Sequence, residues 1–148
     1  MSILSWSKEL SVDNAACDAE HRKLFDLLRK LHDAIVIGST RNTLNSIVAD
    51  LLKAAEAHFD HEERMMKEHG YPGFEAHKAE HEKIARDVKT LVVALTAGKL
   101  AGKPDVALLP AQWLYSHIRV HDKQYVPHVS QSAKTPAAKQ ARVPEPVS

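Results

Sequence analysis

The spacing of apolar residues along the chain predicts helices, and no segment alternates apolar and polar residues with the period of two that is typical of a strand. A first helix is predicted from Asp18, its expected N-cap, because apolar residues then recur every three or four positions: Leu24, Leu28, Leu31 and Ile35. Gly38-Ser39-Thr40 ends this helix and supplies a cap for a second one. The second helix begins near Arg41 and stops at the break from Gly70 to Gly73.

Two further helices follow. The third stops near Gly98 and Gly102, and its apolar stripe contains Ile84, Val88, Leu91 and Leu95. The fourth is predicted to run from about Pro104 or Pro110 to about Asp122, with these residues facing inward: Trp113, Leu114, His117 and Ile118. Since proline is tolerated in the first turn of a helix and kinks its interior, Pro110 lies either in the first turn or at a kink.

The two ends of the chain differ in character. Residues 1–17 are expected to form an ordered arm. From about residue 130 onward, valine is the only large apolar residue, and such a segment cannot bury enough surface to become ordered. We therefore predict an all-α protein, an antiparallel up-down-up-down four-helix bundle with an N-terminal arm in residues 1–129, followed by a disordered C-terminal tail in residues 130–148.

Composition restricts the possible partners and the compartment. Twenty basic and 19 acidic residues give a net charge of +1, which gives no reason to expect binding to nucleic acid or to an anionic membrane. No apolar run approaches the ~20 residues of a membrane span, and the N-terminus lacks the order of a signal peptide. The single cysteine, Cys17, excludes an internal disulfide and fits a reducing compartment. We expect a cytoplasmic protein, and a monomer.

Histidine is the unusual component, with ten in 148 residues. Two pairs, His58 with Glu62 and His77 with His81, are spaced by four, so each pair lies on one helical face. Each of the four predicted helices contributes to a set of polar residues that interrupt the apolar stripes: His21, His58, Glu62, His77, His81, His117 and Asp122. Imidazoles with carboxylates, and no set of thiolates, suit a pair of mid-series divalent metal ions.

The seven side chains can be counted as metal ligands. If both carboxylates and one solvent-derived oxygen bridge two six-coordinate ions, one coordination position stays open for a small ligand. His117 and Asp122 are five residues apart, which in a regular α-helix separates them by ~140° around the axis. For both to reach the metals, the helix must end or widen into a π-type turn between them.

The motifs that carry these residues resemble those of the hemerythrins, specifically the bacterial single-domain members (bacteriohemerythrins). The resemblance covers about residues 4–126. It rests on D-x-x-H at Asp18 and His21, H-F-x-x-E at His58, Phe59 and Glu62, G-Y-P at residues 70–72, H-x-x-x-H at His77 and His81, and W-x-x-x-H-I-x-x-x-D at Trp113, His117, Ile118 and Asp122.

The resemblance implies a centre of two iron ions with an oxo or hydroxo bridge and dioxygen as its ligand. One iron would be bound by His77, His81 and His117, and the other by His21 and His58, with Glu62 and Asp122 bridging them. Dioxygen would bind reversibly at the open position on the two-histidine iron. The expected wall of the oxygen pocket consists of residues within one turn of the ligands: Phe59, Trp113, Leu114 and Ile118. Tyr125 is expected to hydrogen-bond to a bridging carboxylate.

The implied function is oxygen transport, storage or delivery to an oxygen-consuming enzyme, and we predict no enzymatic activity. A sensor of oxygen or redox state ranks lower because no transducing domain is fused. A di-iron enzyme, peroxidase-like or nitric-oxide-handling, is a further alternative, and iron storage a weaker one. The Glu-x-x-His pairs of ferritin-like oxidases are absent from the sequence. The remaining five histidines are interpreted as surface or hydrogen-bonded residues without a metal: His32, His61, His69, His121 and His128.

Overall fold

The protein is described here from a computed structural model that covers residues 5–98 and 108–134. Within these residues the regular secondary structure is entirely helical, as the sequence predicted. Four long helical segments form the up-down-up-down bundle. No helix within the described ranges is long and apolar enough to cross a membrane.

The first three helices are α1 (Ala15–Val36), α2 (Arg41–Glu68) and α3 (Phe74–Thr96). Their ends follow the predicted turn signals. Gly38, Gly70 and Gly98 each follow a helix with a positive φ of 74°, 63° and 77°, a conformation that costs glycine little. Thr40 caps α2 by accepting a hydrogen bond from the backbone N–H of Thr43 at 3.2 Å.

The start of α1 differs from the prediction. Its N-cap is Asn14, whose side chain accepts from the N–H of Cys17 at 3.0 Å, so the prediction of Asp18 as the cap was wrong. Asp18 lies in the first turn and binds the arm instead, accepting from Ser11 Oγ at 2.6 Å and from the N–H of Val12 at 2.9 Å. Both asparagine and aspartate are good capping residues, so the local sequence does not distinguish them.

The fourth helix is longer than predicted. It consists of α4 (Leu108–His117), a π-helical turn (Ile118–Asp122) and α5 (Lys123–Lys134). The predicted end near Asp122 was wrong, because the chain continues as a helix through Pro127. Pro110 lies in the first turn of α4, where its missing N–H removes no helical hydrogen bond. Pro104 and residues 135–148 of the predicted tail lie outside the described residues, whereas residues 130–134 belong to α5.

The bundle has two apolar cores. The distal core lies toward the end of α1 and the start of α2 and consists of Leu31, Ala34, Ile35, Leu44, Ile47, Val48 and Leu95. The proximal core surrounds the histidine-rich region and includes residues of the arm as well as of the helices: Leu10, Val12, Cys17, Leu24, Phe25, Leu28, Leu51, Met65, Met66, Tyr71, Ala111, Leu114, Ile118, Tyr125 and Val129. From residue 5 onward the arm is thus part of the fold, as predicted, whereas residues 1–4 lie outside the described residues.

Candidate metal centre

The seven polar residues singled out in the sequence meet inside the proximal half of the bundle, and all of them are buried. They come from every long helical segment: His21 from α1, His58 and Glu62 from α2, His77 and His81 from α3, His117 and Asp122 from either side of the π-turn. We call them the seven-residue cluster. A buried group of this size cannot be solvated, so its charges and polar atoms must be satisfied within the protein or by a bound ion.

The cluster contains two groups of ligand atoms, each with all members within 4.8 Å of one another. One consists of Glu62, His77, His81, His117 and Asp122, and the other of His21, His58, Glu62 and Asp122. The two groups share both carboxylates. This is the arrangement expected of two neighbouring metal positions bridged by Glu62 and Asp122, with three imidazoles on one side and two on the other.

Distances within the cluster show where the imidazoles point. The Nε2 atoms of His77 and His117 lie 2.9 Å and 3.0 Å from Asp122 Oδ1, and that of His21 lies 3.2 Å from Asp122 Oδ2. The Nε2 atoms of His81 and His58 lie 3.1 Å and 3.4 Å from Glu62 Oε1. Each ring therefore presents Nε2 to a bridging carboxylate.

Most of these close approaches are not hydrogen bonds. Both oxygens of Asp122 and the Nε2 atoms of His21, His58, His77 and His117 are buried without a hydrogen-bond partner among the described residues. Buried polar atoms are almost always paired, so such a concentration of unpaired acceptors calls for a ligand. Nitrogen and oxygen atoms about 3 Å apart that face a common point suit a shared cation.

The imidazoles and carboxylates of the cluster shift one another's pKa values. Burial alone would lower the pKa values of His21 and His77, but contacts with Asp122 and Glu62 outweigh it and raise both to about 9. Burial alone would raise the pKa of Glu62, but His58, His21 and the other imidazoles hold it well below its ordinary value. The two buried carboxylates thus favour a positive charge on their His21 and His77 side, as a bound cation would supply.

The π-turn in the fourth helix brings His117 and Asp122 to the same side of the helix. It widens the helix between His117 and Asp122, and both side chains reach the cluster although they are five residues apart. The predicted π-type turn is confirmed.

Three carboxyl or phenol groups around the cluster hold its members in place. The Tyr125 hydroxyl donates to Glu62 Oε2 at 2.7 Å, the contact expected for it. The Nδ1 atoms of His58 and His81 lie 2.6 Å from Glu20 Oε1 and 2.8 Å from Glu63 Oε2. A carboxylate on Nδ1 orients the ring and leaves Nε2 free for a metal.

Sequence analysis missed Glu20 and Glu63. Their partners lie 38 and 18 residues away along the chain, and such contacts leave no local pattern. His61 was interpreted as a residue without a metal role, and its ring is half-buried against Glu20, with Nδ1 at 2.9 Å from Oε1. The one pattern in the sequence that could have indicated a shared partner is the spacing of three between His58 and His61. This spacing places the two rings next to each other on one helix.

An apolar cavity of ≈ 50 Å³ lies between the helices, and Phe59, the residue after the cluster's His58, forms part of its wall. Its walls are Leu24, Leu28, Leu51, Leu52, Ala55, Phe59, Ile84, Val88, Pro110 and Leu114. Phe59 also stacks on the ring of His81, with centroids 4.1 Å apart. Phe59 and Leu114, two of the residues predicted to form the wall of the oxygen pocket, thus line this cavity. Ile118 is fully buried in the proximal core but is not part of this wall.

Trp113 lies elsewhere. It lines a polar, solvent-facing cavity of ≈ 340 Å³ between α3 and α4, together with His117, Glu80 and His121. Trp113 is half-buried and is not among the residues that line the apolar cavity, and its place in the wall of the oxygen pocket stays a prediction. His121 Nε2 lies 3.3 Å from Glu80 Oε1 in the same groove.

Comparison with known proteins identifies the fold and the kind of site. Residues 12–129 match the family described as Hemerythrin HHE cation binding domain. The chain belongs to the hemerythrin family. A solved structure of a wild-type hemerythrin superposes with a TM-score of 0.78 at 30% identity, covering 87% of this chain and 99% of the other.

Individual bacterial hemerythrins align with nearly the same part of this chain. The chain is 32% identical over 131 residues to the bacteriohemerythrin of Methylococcus capsulatus, covering 88% of this chain and 99% of that protein. It is also 32% identical over 132 residues to the bacteriohemerythrin of Pseudomonas aeruginosa, with 89% and 85% covered. The family resemblance inferred from the motifs is therefore confirmed, and the buried cluster is consistent with the di-iron site of a hemerythrin.

Proposed function

We propose that the seven-residue cluster binds two iron ions and that the protein binds dioxygen reversibly, for transport, storage or delivery to an oxygen-using enzyme. One ion would be held by His77, His81 and His117 and the other by His21 and His58, with Glu62 and Asp122 shared. The observation that carries the proposal is the pair of overlapping ligand groups that have both carboxylates in common.

The donor set fits iron in chemical terms. Imidazole and carboxylate suit iron and other mid-series divalent metals, and no thiolate enters the cluster. When bound, a pair of ferrous ions supplies the electrons for reversible binding of dioxygen. The chain contributes the geometry: Tyr125, Glu20 and Glu63 fix Glu62, His58 and His81 in orientation.

The apolar cavity favours a small uncharged molecule as the ligand. Its volume of ≈ 50 Å³ exceeds the roughly 10–15 Å³ that one water molecule needs by the same measure, so it has room for a diatomic molecule. Water gains few hydrogen bonds in an apolar cavity and tends to leave it empty. Phe59 and Leu114 would thereby keep water and stray protons from the ligand, which is needed if dioxygen is to be released unchanged.

An enzymatic role is the second candidate. The solvent-facing groove between α3 and α4 brings the acid Glu80 and the base His121 against His117, one of the cluster residues. Such groups could exchange protons with the centre and favour peroxidase-like or nitric-oxide-handling chemistry.

One anaerobic experiment separates the candidates. The purified protein is reduced, its iron per chain is measured, and dioxygen is admitted and then removed while the visible spectrum is recorded. We expect two irons per chain and a charge-transfer band that appears with oxygen and disappears when oxygen is stripped. A band that never returns to the colourless state would contradict reversible binding and favour the enzyme, and absence of iron would overturn the di-iron assignment.

A further inference from the structure

We propose that Cys17, Glu20 and His61 form a separate site for one thiolate-preferring divalent cation of the zinc type. Their sulfur, carboxylate and imidazole ligand atoms all lie within 4.8 Å of one another. None of the three belongs to the seven-residue cluster. The site therefore goes beyond the proposed oxygen-binding function and does not depend on it.

Two facing helices build this site. Cys17 and Glu20 are three residues apart on α1 and lie on one face, while His61 approaches from α2. His61 Nδ1 lies 2.9 Å and 3.0 Å from the two carboxylate oxygens of Glu20. Two ligand atoms on one tetrahedral cation, with bonds of about 2 Å, are separated by about 3.3 Å. A cation could therefore replace the proton between His61 and Glu20 with only a small change in their separation.

Burial decreases from the bottom of the site to its mouth. Cys17 is fully buried, whereas the side chains of His61 and Glu20 are 29% and 35% exposed. A cation can thus enter from solvent past His61 and Glu20 and meet the sulfur at the inner end. Three protein ligands with one side open to water form the arrangement of zinc sites that keep a solvent-filled position.

The donor set indicates which cations would bind. Thiolate and imidazole together favour zinc and similar transition metals, whereas calcium and magnesium prefer oxygen ligands. Burial raises the pKa of the Cys17 thiol, so the thiol keeps its proton until a cation binds and displaces it. The simpler interpretation is a packed cysteine beside an ordinary His61–Glu20 hydrogen bond, and it differs from ours in one observable, the formation of a metal–thiolate bond.

The site is physically connected to the cluster. Glu20 Oε1 accepts from both His61 and His58 Nδ1, the latter at 2.6 Å. A cation on Glu20 would compete with His58 for this oxygen. Its occupancy would therefore alter the hydrogen bond that orients one residue of the seven-residue cluster.

Cobalt(II) is a suitable probe because its bond to a thiolate absorbs in the near ultraviolet. The full-length, iron-loaded protein is titrated with cobalt(II) without oxygen, and metal per chain is counted after gel filtration. Because Cys17 is the only cysteine, any thiolate-to-cobalt band reports this site. We expect one additional ion per chain and a near-ultraviolet band, which Cys17→Ser abolishes and His61→Ala shifts to at least about tenfold higher cobalt concentration.

A second histidine variant serves as the control for His61→Ala. His32→Ala removes a half-buried imidazole that contacts only a neighbouring aspartate in the described structure, and it should leave the band unchanged. No thiolate band at cobalt saturation of the wild-type protein would overturn the proposal, as would a band unaffected by His61→Ala. Since His61 is partly exposed, this variant remains decisive if Cys17→Ser destabilises the core. If the protein retained no iron, cobalt would also fill the cluster, and the thiolate band would still report Cys17 alone.

Discussion

The two ends of the bundle are built from the same helices but differ in whether they also bury polar side chains. The distal core contains only apolar side chains, and its burial favours folding under any metal condition. The proximal end contains the seven-residue cluster, where several buried nitrogen and oxygen atoms have no hydrogen-bond partner in the part of the chain that the structure describes. Each such atom costs about 1–3 kcal/mol if nothing binds it. Both ends bury apolar side chains, but the proximal end also contains a polar cluster that lowers the free energy of unfolding unless a ligand binds it.

Among the changes considered, removal of the metal should lower the stability of the protein most, and it should loosen mainly the proximal end of the bundle. Loss of tightly bound ions removes on the order of 4 kcal/mol of linkage stabilisation, which corresponds to a fall in melting temperature of roughly 10 °C. Calorimetry before and after chelation measures the fall. Hydrogen exchange should show lost protection around His58 and His77 and retained protection around Ile47. Equal stability of both forms would mean that the cluster histidines are merely packed residues.

Single substitutions should separate the two ends. Leu31→Ala in the distal core should lower the free energy of unfolding by about 3 kcal/mol through cavity formation while the metal content stays the same.

His58→Ala should abolish oxygen binding, because it removes one of two terminal histidines on the proposed oxygen-binding ion. Denaturant titration and oxygen difference spectra measure these effects. Oxygen binding by the His58 variant at the wild-type level would refute the ligand assignment.

A smaller effect is expected from a hydroxyl beside the cluster. Tyr125→Phe removes the donor to Glu62 Oε2, and loss of such a partner of a metal ligand costs about tenfold to a hundredfold in metal affinity. Tyr115→Phe is a matched control, because its hydroxyl donates to the exposed Glu9 at 2.9 Å. Competition with a chelator of known affinity measures both variants. Equal metal affinity of the two would show that the Tyr125 hydroxyl does not support the centre.

The sequence predicted those parts of the fold that depend on local periodicity and turn chemistry. The helical stripes, the glycine turns and the seven buried polar residues were all visible in the spacing of residue types. Even the π-turn could be predicted, because His117 and Asp122 cannot both face inward on a regular helix.

The errors share a tertiary cause. The fourth helix continues past Pro127 because Tyr125 and Val129 pack into the proximal core, and their burial outweighs the helix-breaking tendency of proline. The support of His58 by Glu20 likewise depends on two helices meeting, which no local pattern records.

The most direct test of the central claim is the position of the metals. Crystals of the purified protein would be measured with X-rays above and below the iron absorption edge, and the anomalous difference map calculated. Our account predicts two iron peaks in the cluster, one beside His77, His81 and His117 and one beside His21 and His58. A single peak, or peaks away from Glu62 and Asp122, would contradict it.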